Sequence, residues 1–468
     1  NSPLLMKPLT TLFSLCFFLT VFVGCNKTIK NSTTYFGGKI INPKSNHVVL
    51  YSMDKVIDTF SINSENKFGG TLDSIQEGLY YFVHGNENQF LYIEPKDSIM
   101  LSLNTWDFDE SLVFSGIGAE RNNVLIDCFL QFEKDEKTFY TYNLLKPKPF
   151  KLKVDSIISL RVNTHEGYVK RHPTETENFK EVLKIALTYP VYARIESYPI
   201  SHAKKMKLER FPKLPLSFYE YRKNIDIDID ALMYYKPYSK YITNYLYNAT
   251  YAKRHSPMQN NFTSNFTVDL LKTIDEKVNS KTFKNAFLKQ TVISHFYKKS
   301  TCDISNKEFE VFLALSSNEE DKKLVKKLLI DNQIIHKNHE IVNFYVHDFT
   351  NTSYAIKDVI KDKNTFLFFW SSKYVSKPYV RARINYLSNK YPNVQFLTLK
   401  IDGNSNDQIE NLDIKKQFFI DRNSTANSFL TSKMTRSILI NKNGILTNGF
   451  ASISSRNIYT QLDRLNNN

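Results

Sequence analysis

Three regimes of hydrophobic spacing follow one another along the chain. Over residues 34–115 apolar and polar positions alternate in short runs, at 39–41, 47–51, 56–62, 79–84, 90–93 and 99–103. Turn formers such as Asn42-Pro43 and Pro95-Lys96-Asp97 separate them. Short alternating strands at this spacing predict a β-sandwich. Over residues 116–340 the apolar period becomes helical: Phe179, Val182, Leu183 and Ile185; Tyr238, Ile242, Tyr245 and Leu246; Phe309, Phe312 and Leu313; Leu324, Leu328 and Leu329. Gly167 is the only glycine between Asn122 and His336, and Pro190, Pro199, Pro212, Pro215 and Pro237 are expected to break the helical run. Over residues 341–468 a buried-strand run at 365–370 precedes a helix carrying Val380, Ile384, Leu387 and Tyr391 on one face. A parallel strand at 394–401, a hairpin around Lys442-Asn443-Gly444 and a closing helix at 454–465 complete an α/β domain. The predicted class is multidomain α+β: an N-terminal β-sandwich, a helical middle region and a C-terminal α/β domain.

Composition rules out a disordered chain: 42% of the 468 residues are hydrophobic and 14% aromatic. The net charge of +15 invites a nucleic-acid reading. Its lysines are spread along the whole chain with no basic block, however, which describes a solvated surface and no nucleic-acid partner.

Residues 1–24 form a basic-flanked apolar segment, too short in its core for a comfortable membrane span and suited to a secretion signal. It ends Phe22-Val23-Gly24-Cys25, which resembles a bacterial lipobox. That resemblance implies cleavage before Cys25, lipid attachment to its sulfur, a tether over 25–33, and membrane association through the lipid. The implied place is the cell envelope, on the outer membrane and facing the periplasm; the polar, non-acidic residues after Cys25 leave surface exposure open as well. Cys16 would leave with the signal. Cys128 and Cys302 remain, able to pair in an oxidising compartment. Cys128 sits in Val-Leu-Ile-Asp-Cys-Phe-Leu, an expected core-facing helix stripe, where a buried free thiol is the favoured state.

Phe368-Phe369-Trp370, followed by a helix, and the hairpin Leu439-Ile440-Asn441-Lys442-Asn443-Gly444 resemble the thioredoxin-like domain of membrane-anchored thiol-disulfide oxidoreductases of the TlpA type. Within the first region, Glu77-Gly78-Leu79-Tyr80 and the stretch from Phe114 to Asn123 resemble a small sandwich module that precedes such domains in Gram-negative lipoproteins. The resemblance implies domains at 34–115, 116–340 and 341–468. It implies a reactive cysteine at a helix N-terminus, where backbone N–H groups lower a thiol pKa, and a resolving cysteine three residues on. Counted from Trp370, those positions are Tyr374 and Lys377. The family's cis-proline position, counted back from Gly444, is Thr435. No cysteine follows Cys302, so a redox-inactive domain acting as a binding scaffold is expected, with a protein or small ligand in the groove near Tyr374, Thr435 and Arg436. The competing expectation is an oxidoreductase using Cys128 and Cys302 or a partner.

Other chemistries find less in the residues. Ser371 or Ser372 with His347 and Asp402 has the residue types of a serine hydrolase but no glycine-flanked nucleophile. Serine capping a helix is the simpler account. Asp226, Asp228 and Asp230 lack the glycine and closing glutamate of a calcium loop. His336 and His339 lack further metal ligands. No metal and no cofactor is expected.

Overall fold

The computed structural model describes residues 33–403 and 407–467. The signal segment 1–24, Cys25 and all of the tether but Thr33 lie outside them. The chain divides into two compact units, the first ending at Leu130 and the second beginning at Gln131.

In the first unit the alternation resolves into eight strands: β1 (Thr34–Ile41), β2 (His47–Ser52), β3 (Lys55–Ser61), β4 (Lys67–Leu72), β5 (Gly78–His84), β6 (Glu87–Ile93), β7 (Ser98–Asn104) and β8 (Val113–Ile117). They form two four-stranded sheets, β4-β1-β7-β8 and β3-β2-β5-β6. Phe36 and Ile40 from the first sheet and Val48, Leu50 and Phe82 from the second fill one core between them, so the unit is a sandwich. A one-turn helix, α1 (Phe108–Ser111), adds Phe108 to that core. The unit runs past Ser115 because Ala119 and Ile126 of the next helix, α2 (Ala119–Tyr142), belong to the same core.

The glycines and asparagines at this exit have geometric causes. Gly116 has φ +92°, and a Cβ there would lie 2.1 Å from the Ser98 carbonyl oxygen. The Asn122 side chain accepts from Tyr92 N at 2.6 Å and donates to Tyr92 O at 2.9 Å, while Asn123 does the same with Phe114, at 2.9 Å each way. Each amide thus stands in for a missing strand partner.

The second unit continues with α3 (Pro147–Arg171), α4 (Glu177–Lys205), α5 (Lys236–Tyr251), α6 (Ser264–Lys277), α7 (Lys281–Lys299), α8 (Lys307–Leu315) and α9 (Glu319–Ile334). Pro190 and Pro199 do not break a helix, contrary to expectation; both lie inside α4. An interior proline costs about 3 kcal/mol in an isolated helix. Burial of Leu183, Ile185, Val191, Ile195 and Tyr198 along α4 offsets that cost. Pro237 sits in the first turn of α5, where its missing N–H is harmless.

A seven-stranded sheet follows: β9 (Tyr345–His347), β10 (Ser353–Ala355), β11 (Thr365–Trp370), β12 (Gln395–Lys400), β13 (Gln417–Phe419), β14 (Arg436–Ile440) and β15 (Leu446–Ala451), in the order β10-β9-β13-β12-β11-β14-β15. β11 and β12 are parallel through α11 (Lys377–Lys390), and β14 and β15 are an antiparallel hairpin beside β11. β13, three residues long, lies in a segment without strand periodicity. Every residue of β11 is buried. Phe366, Phe368 and Trp370 face α11 and α12 (Asn457–Asn467), while Leu367 and Phe369 face a core with Phe344, the short α10 (Ile356–Val359) and Phe429. Coverage of both faces explains why this strand reads as a continuous apolar run.

Helix α7 docks on the sheet through its C-terminus. Ser300 closes the helix at φ +53°, and its carbonyl accepts from Asn448 (2.9 Å) and Gln461 (2.8 Å). Ser455 and Asn457 take the carbonyls of Lys298 and Lys299. These carbonyls have no partner within the helix, so side chains more than a hundred residues away cap it.

Candidate functional site

The four positions singled out from the sequence sit around one end of β11 and β14. Trp370 is a core residue, 1% exposed, in register with Lys400. Beyond it, residues 371–375 turn, with Tyr374 N and Val375 N both donating to Ser371 O. Ser376 caps α11, accepting from Tyr379 N at 3.4 Å. The helix therefore begins at Lys377, and Tyr374 stands in the turn before it rather than at the helix N-terminus. Thr435 immediately precedes β14; no cis peptide bond occurs among the described residues.

Tyr374 and Thr435 share a cavity of about 280 Å³ with Phe368, Tyr379, Met434 and Ile453. Trp370 and Lys377 do not line it. Tyr297 of α7 does: its hydroxyl donates to the Thr435 carbonyl at 2.6 Å. Burial raises the Tyr297 phenol above the ordinary tyrosine value, so it is a neutral donor at any working pH.

Arg436 lines the same cavity, next to Thr435, as the sequence placed it. It is only 2% exposed, however, and its guanidinium donates to the carbonyls of Asp331 (2.8 Å), Phe429 (2.7 Å) and Gly449. Its face lies 4.7 Å from the Phe450 ring centroid. Burial lowers its pKa to about 10, against a partial restoring effect of the Asp331 carboxylate, so it stays protonated at neutral pH. Nη1 and Nη2 hold the chain around it, while Nε, also buried, has no hydrogen-bond partner among the described residues.

A charge network lies at the start of α11. A lysine there opposes the positive end of the helix dipole. Lys377 forms an ion pair with Asp407, whose other oxygen lies 3.3 Å from the buried Lys400 ammonium. Lys400 also pairs with Asp402 at 2.7 Å, and Ser371 Oγ donates to Asp402 at 3.0 Å. Burial pushes the Asp402 carboxyl up, but the Lys400 and Ser371 hydrogen bonds outweigh it and hold the pKa below the usual carboxylate range. Two cations and two anions thus neutralise one another.

The serine-hydrolase combination does not assemble. His347 lies in register with Phe419, Phe419 with Lys400 and Lys400 with Trp370, so His347 and the start of the Ser371 turn are three strand spacings apart, about 14 Å. His347 pairs with Asp421 instead, at 2.8 Å. Among the described residues no group of three or more His, Cys, Asp or Glu could hold a metal ion. Cys128 is buried in the first unit. Cys302, in the second, is a half-buried free thiol on the loop after α7; it lies close enough to Arg436 to influence its charge but does not line the Tyr374 cavity. Among the described residues no helix is long and apolar enough to cross a membrane.

Sequence reasoning missed Tyr297, Asp407 and Lys400. Lys400 left a signal, a lone cation inside the apolar strand Phe-Leu-Thr-Leu-Lys-Ile. Tyr297 left none, because its role depends on where α7 docks.

No known protein family matches the sequence, and no curated protein matches it. Solved structures match parts of it. A putative thiol-disulfide oxidoreductase from Bacteroides vulgatus is 20% identical over 28% of this chain and 99% of its own, with a TM-score of 0.24. The pneumococcal exposed lipoprotein thioredoxin of Streptococcus pneumoniae is 20% identical over 26% of this chain and all of its own, with a TM-score of 0.20. A thioredoxin-like protein from Bacteroides caccae is 14% identical over 54% of this chain and 97% of its own, with a TM-score of 0.29. At these identities and scores the likeness says nothing of what this chain does; it is similar in part to thioredoxin-like proteins.

Proposed function

We propose that this chain is a lipid-anchored protein of the bacterial cell envelope whose C-terminal region is a redox-inactive, thioredoxin-like binding or scaffold module. The observation that carries this reading is the chemistry at the start of α11. The two positions that would exchange disulfides hold a phenol outside the helix and an ammonium paired to Asp407. Neither group attacks a disulfide sulfur, a step that needs a thiolate. A parallel β11-α11-β12 crossover followed by an antiparallel hairpin supports the thioredoxin-like assignment. The anchor rests on Phe22-Val23-Gly24-Cys25, outside the described residues.

A partner would meet the cavity mainly through Tyr374, Tyr379 and Met434, since Arg436, also on the lining, spends its Nη1 and Nη2 donors on backbone carbonyls and Tyr297 already occupies the Thr435 carbonyl. An insulin-reduction assay with dithiothreitol present should give the rate of the uncatalysed control. Catalysis that disappears in Cys302→Ser or Cys128→Ser would establish the oxidoreductase instead. Incorporation of a lipid precursor should require Cys25; equal labelling of Cys25→Ser would remove the anchor.

A further inference from the structure

A second cavity, of about 740 Å³, lies in the helical part of the second unit, between residues 209–214, the 3-10 segment Leu216–Asn224 and the C-terminal end of α5. Its size falls within the range of small-molecule sites.

Arg222 forms part of its wall. The guanidinium grips the fully buried Glu196 with two hydrogen bonds, Nε to Oε1 at 2.8 Å and Nη2 to Oε2 at 2.5 Å. Tyr219 and Tyr245 flank it, with ring centroids 3.9 and 5.0 Å from its central carbon. Glu196 is further satisfied by the Tyr221 hydroxyl (2.6 Å) and the Asn248 amide (2.7 Å). The fork is therefore held rigidly, while Nη1 donates to no group among the described residues. A planar guanidinium with its orientation already fixed loses little entropy on gripping a further oxygen.

The rim adds charge. Arg210, Lys213 and Arg254 line the cavity, are exposed, and form no ion pair or side-chain hydrogen bond among the described residues. Glu209 is the single acid among the described residues of the lining. Cations gathered around a concave, low-dielectric wall focus a positive potential into it. Phe211, stacked on Tyr251 at 6.0 Å between ring centroids, supplies an apolar wall. Tyr251 is itself buried, with a hydroxyl that has no hydrogen-bond partner among the described residues.

We infer that this cavity binds a small organic anion, its carboxylate or phosphate head meeting Arg222 Nη1 and the rim cations and its apolar body lying on Phe211 and Tyr251. The inference is independent of the redox reading and of the Tyr374 cavity.

The test is titration of the full chain with phenyl phosphate, benzoate and inorganic phosphate by calorimetry, at low and high salt. Phenyl phosphate or benzoate should bind, weaken with salt, and lose at least about tenfold in affinity in the exposed triple variant Arg210→Gln/Lys213→Gln/Arg254→Gln, which leaves the Glu196 cluster intact. Arg222→Lys, which keeps the charge but not the fork, should weaken binding further. Failure of both organic anions to bind at about 10 mM, a free energy weaker than roughly 3 kcal/mol, would overturn the inference, as would equal affinity in the triple variant. Inorganic phosphate binding as tightly as phenyl phosphate would overturn the organic-anion assignment.

Discussion

Asp331 of α9 is where helix and sheet are joined, and removing its carboxylate should loosen that joint measurably. The side chain is 1% exposed; Oδ1 accepts from Thr431 N (2.8 Å) and Thr431 Oγ1 (2.6 Å), and Oδ2 from Ser432 N (2.9 Å). Its main-chain oxygen accepts from Arg436, a buried cation with no ion-pair partner among the described residues. Asp331→Ala strands two backbone N–H groups and removes the carboxylate whose field favours the Arg436 charge. A hydrogen bond to a charged group contributes about 1.5–3 kcal/mol, and removing one member of a buried charged set costs about 3–5 kcal/mol. The two figures describe overlapping losses, so we expect ~3–5 kcal/mol rather than their sum. Asp331→Asn keeps one acceptor oxygen and should lose roughly half as much. Against a total stability of about 5–15 kcal/mol either change is large.

Urea unfolding reports this well. The chain has two tryptophans, and Trp106, 73% exposed, can be replaced by Phe so that the buried Trp370 on β11 is the sole reporter. An unfolding free energy for Asp331→Ala within about 1 kcal/mol of the parent, at unchanged slope, would refute the argument, because it would mean that Thr431, Ser432 and Arg436 find equivalent partners without the carboxylate.

Three further outcomes follow from the same kind of reasoning. Burial lowers the His295 pKa to about 4, with Lys298 and Lys299 pushing the same way and Glu308, 3.5 Å from Nε2, pulling back. The unfolded imidazole, near 6.5, takes up its proton first, so stability present above about pH 6.5 is lost as pH falls through 4; His295→Asn should flatten the stability profile in that window, and an unchanged slope between pH 7 and 4.5 would count against it. Arg222→Met leaves Glu196 buried and uncompensated and should cost ~3–5 kcal/mol in urea unfolding, whereas a loss under about 1 kcal/mol would show that the tyrosines and Asn248 satisfy the carboxylate alone. At Gly449 a Cβ would lie 2.9 Å from the Ile335 carbonyl oxygen and 2.6 Å from its Cγ2, so Gly449→Ala should lower stability by ~1–3 kcal/mol, and Ile335→Ala should restore only part of it because the backbone oxygen remains.

Most strands of the sandwich were legible because one face of each is buried, which writes a period of two into the residues. The helical stripes were legible for the matching reason, and β11 through its unbroken apolar run. β13 was not, since three residues, Gln417 to Phe419, are too few to carry a period. Pro190 and Pro199 misled because proline's local cost is visible in the sequence while the burial that offsets it is not. The absence of cysteine after Cys302 is a fact of composition alone, and it removes disulfide chemistry from Tyr374 and Lys377 whatever the fold.

Position in space had to come from the tertiary structure. How far Arg436, on the groove lining, is tied inward depends on where Asp331, Phe429 and Gly449 bring their carbonyls, segments up to 105 residues apart along the chain. The same holds for Tyr297 on Thr435, for Asp407 between two lysines, and for the grip of Arg222 on Glu196. Periodicity and residue chemistry are local and can be read along a chain. Hydrogen bonds and ion pairs act over a few ångströms, so they are decided only when packing sets distant segments side by side.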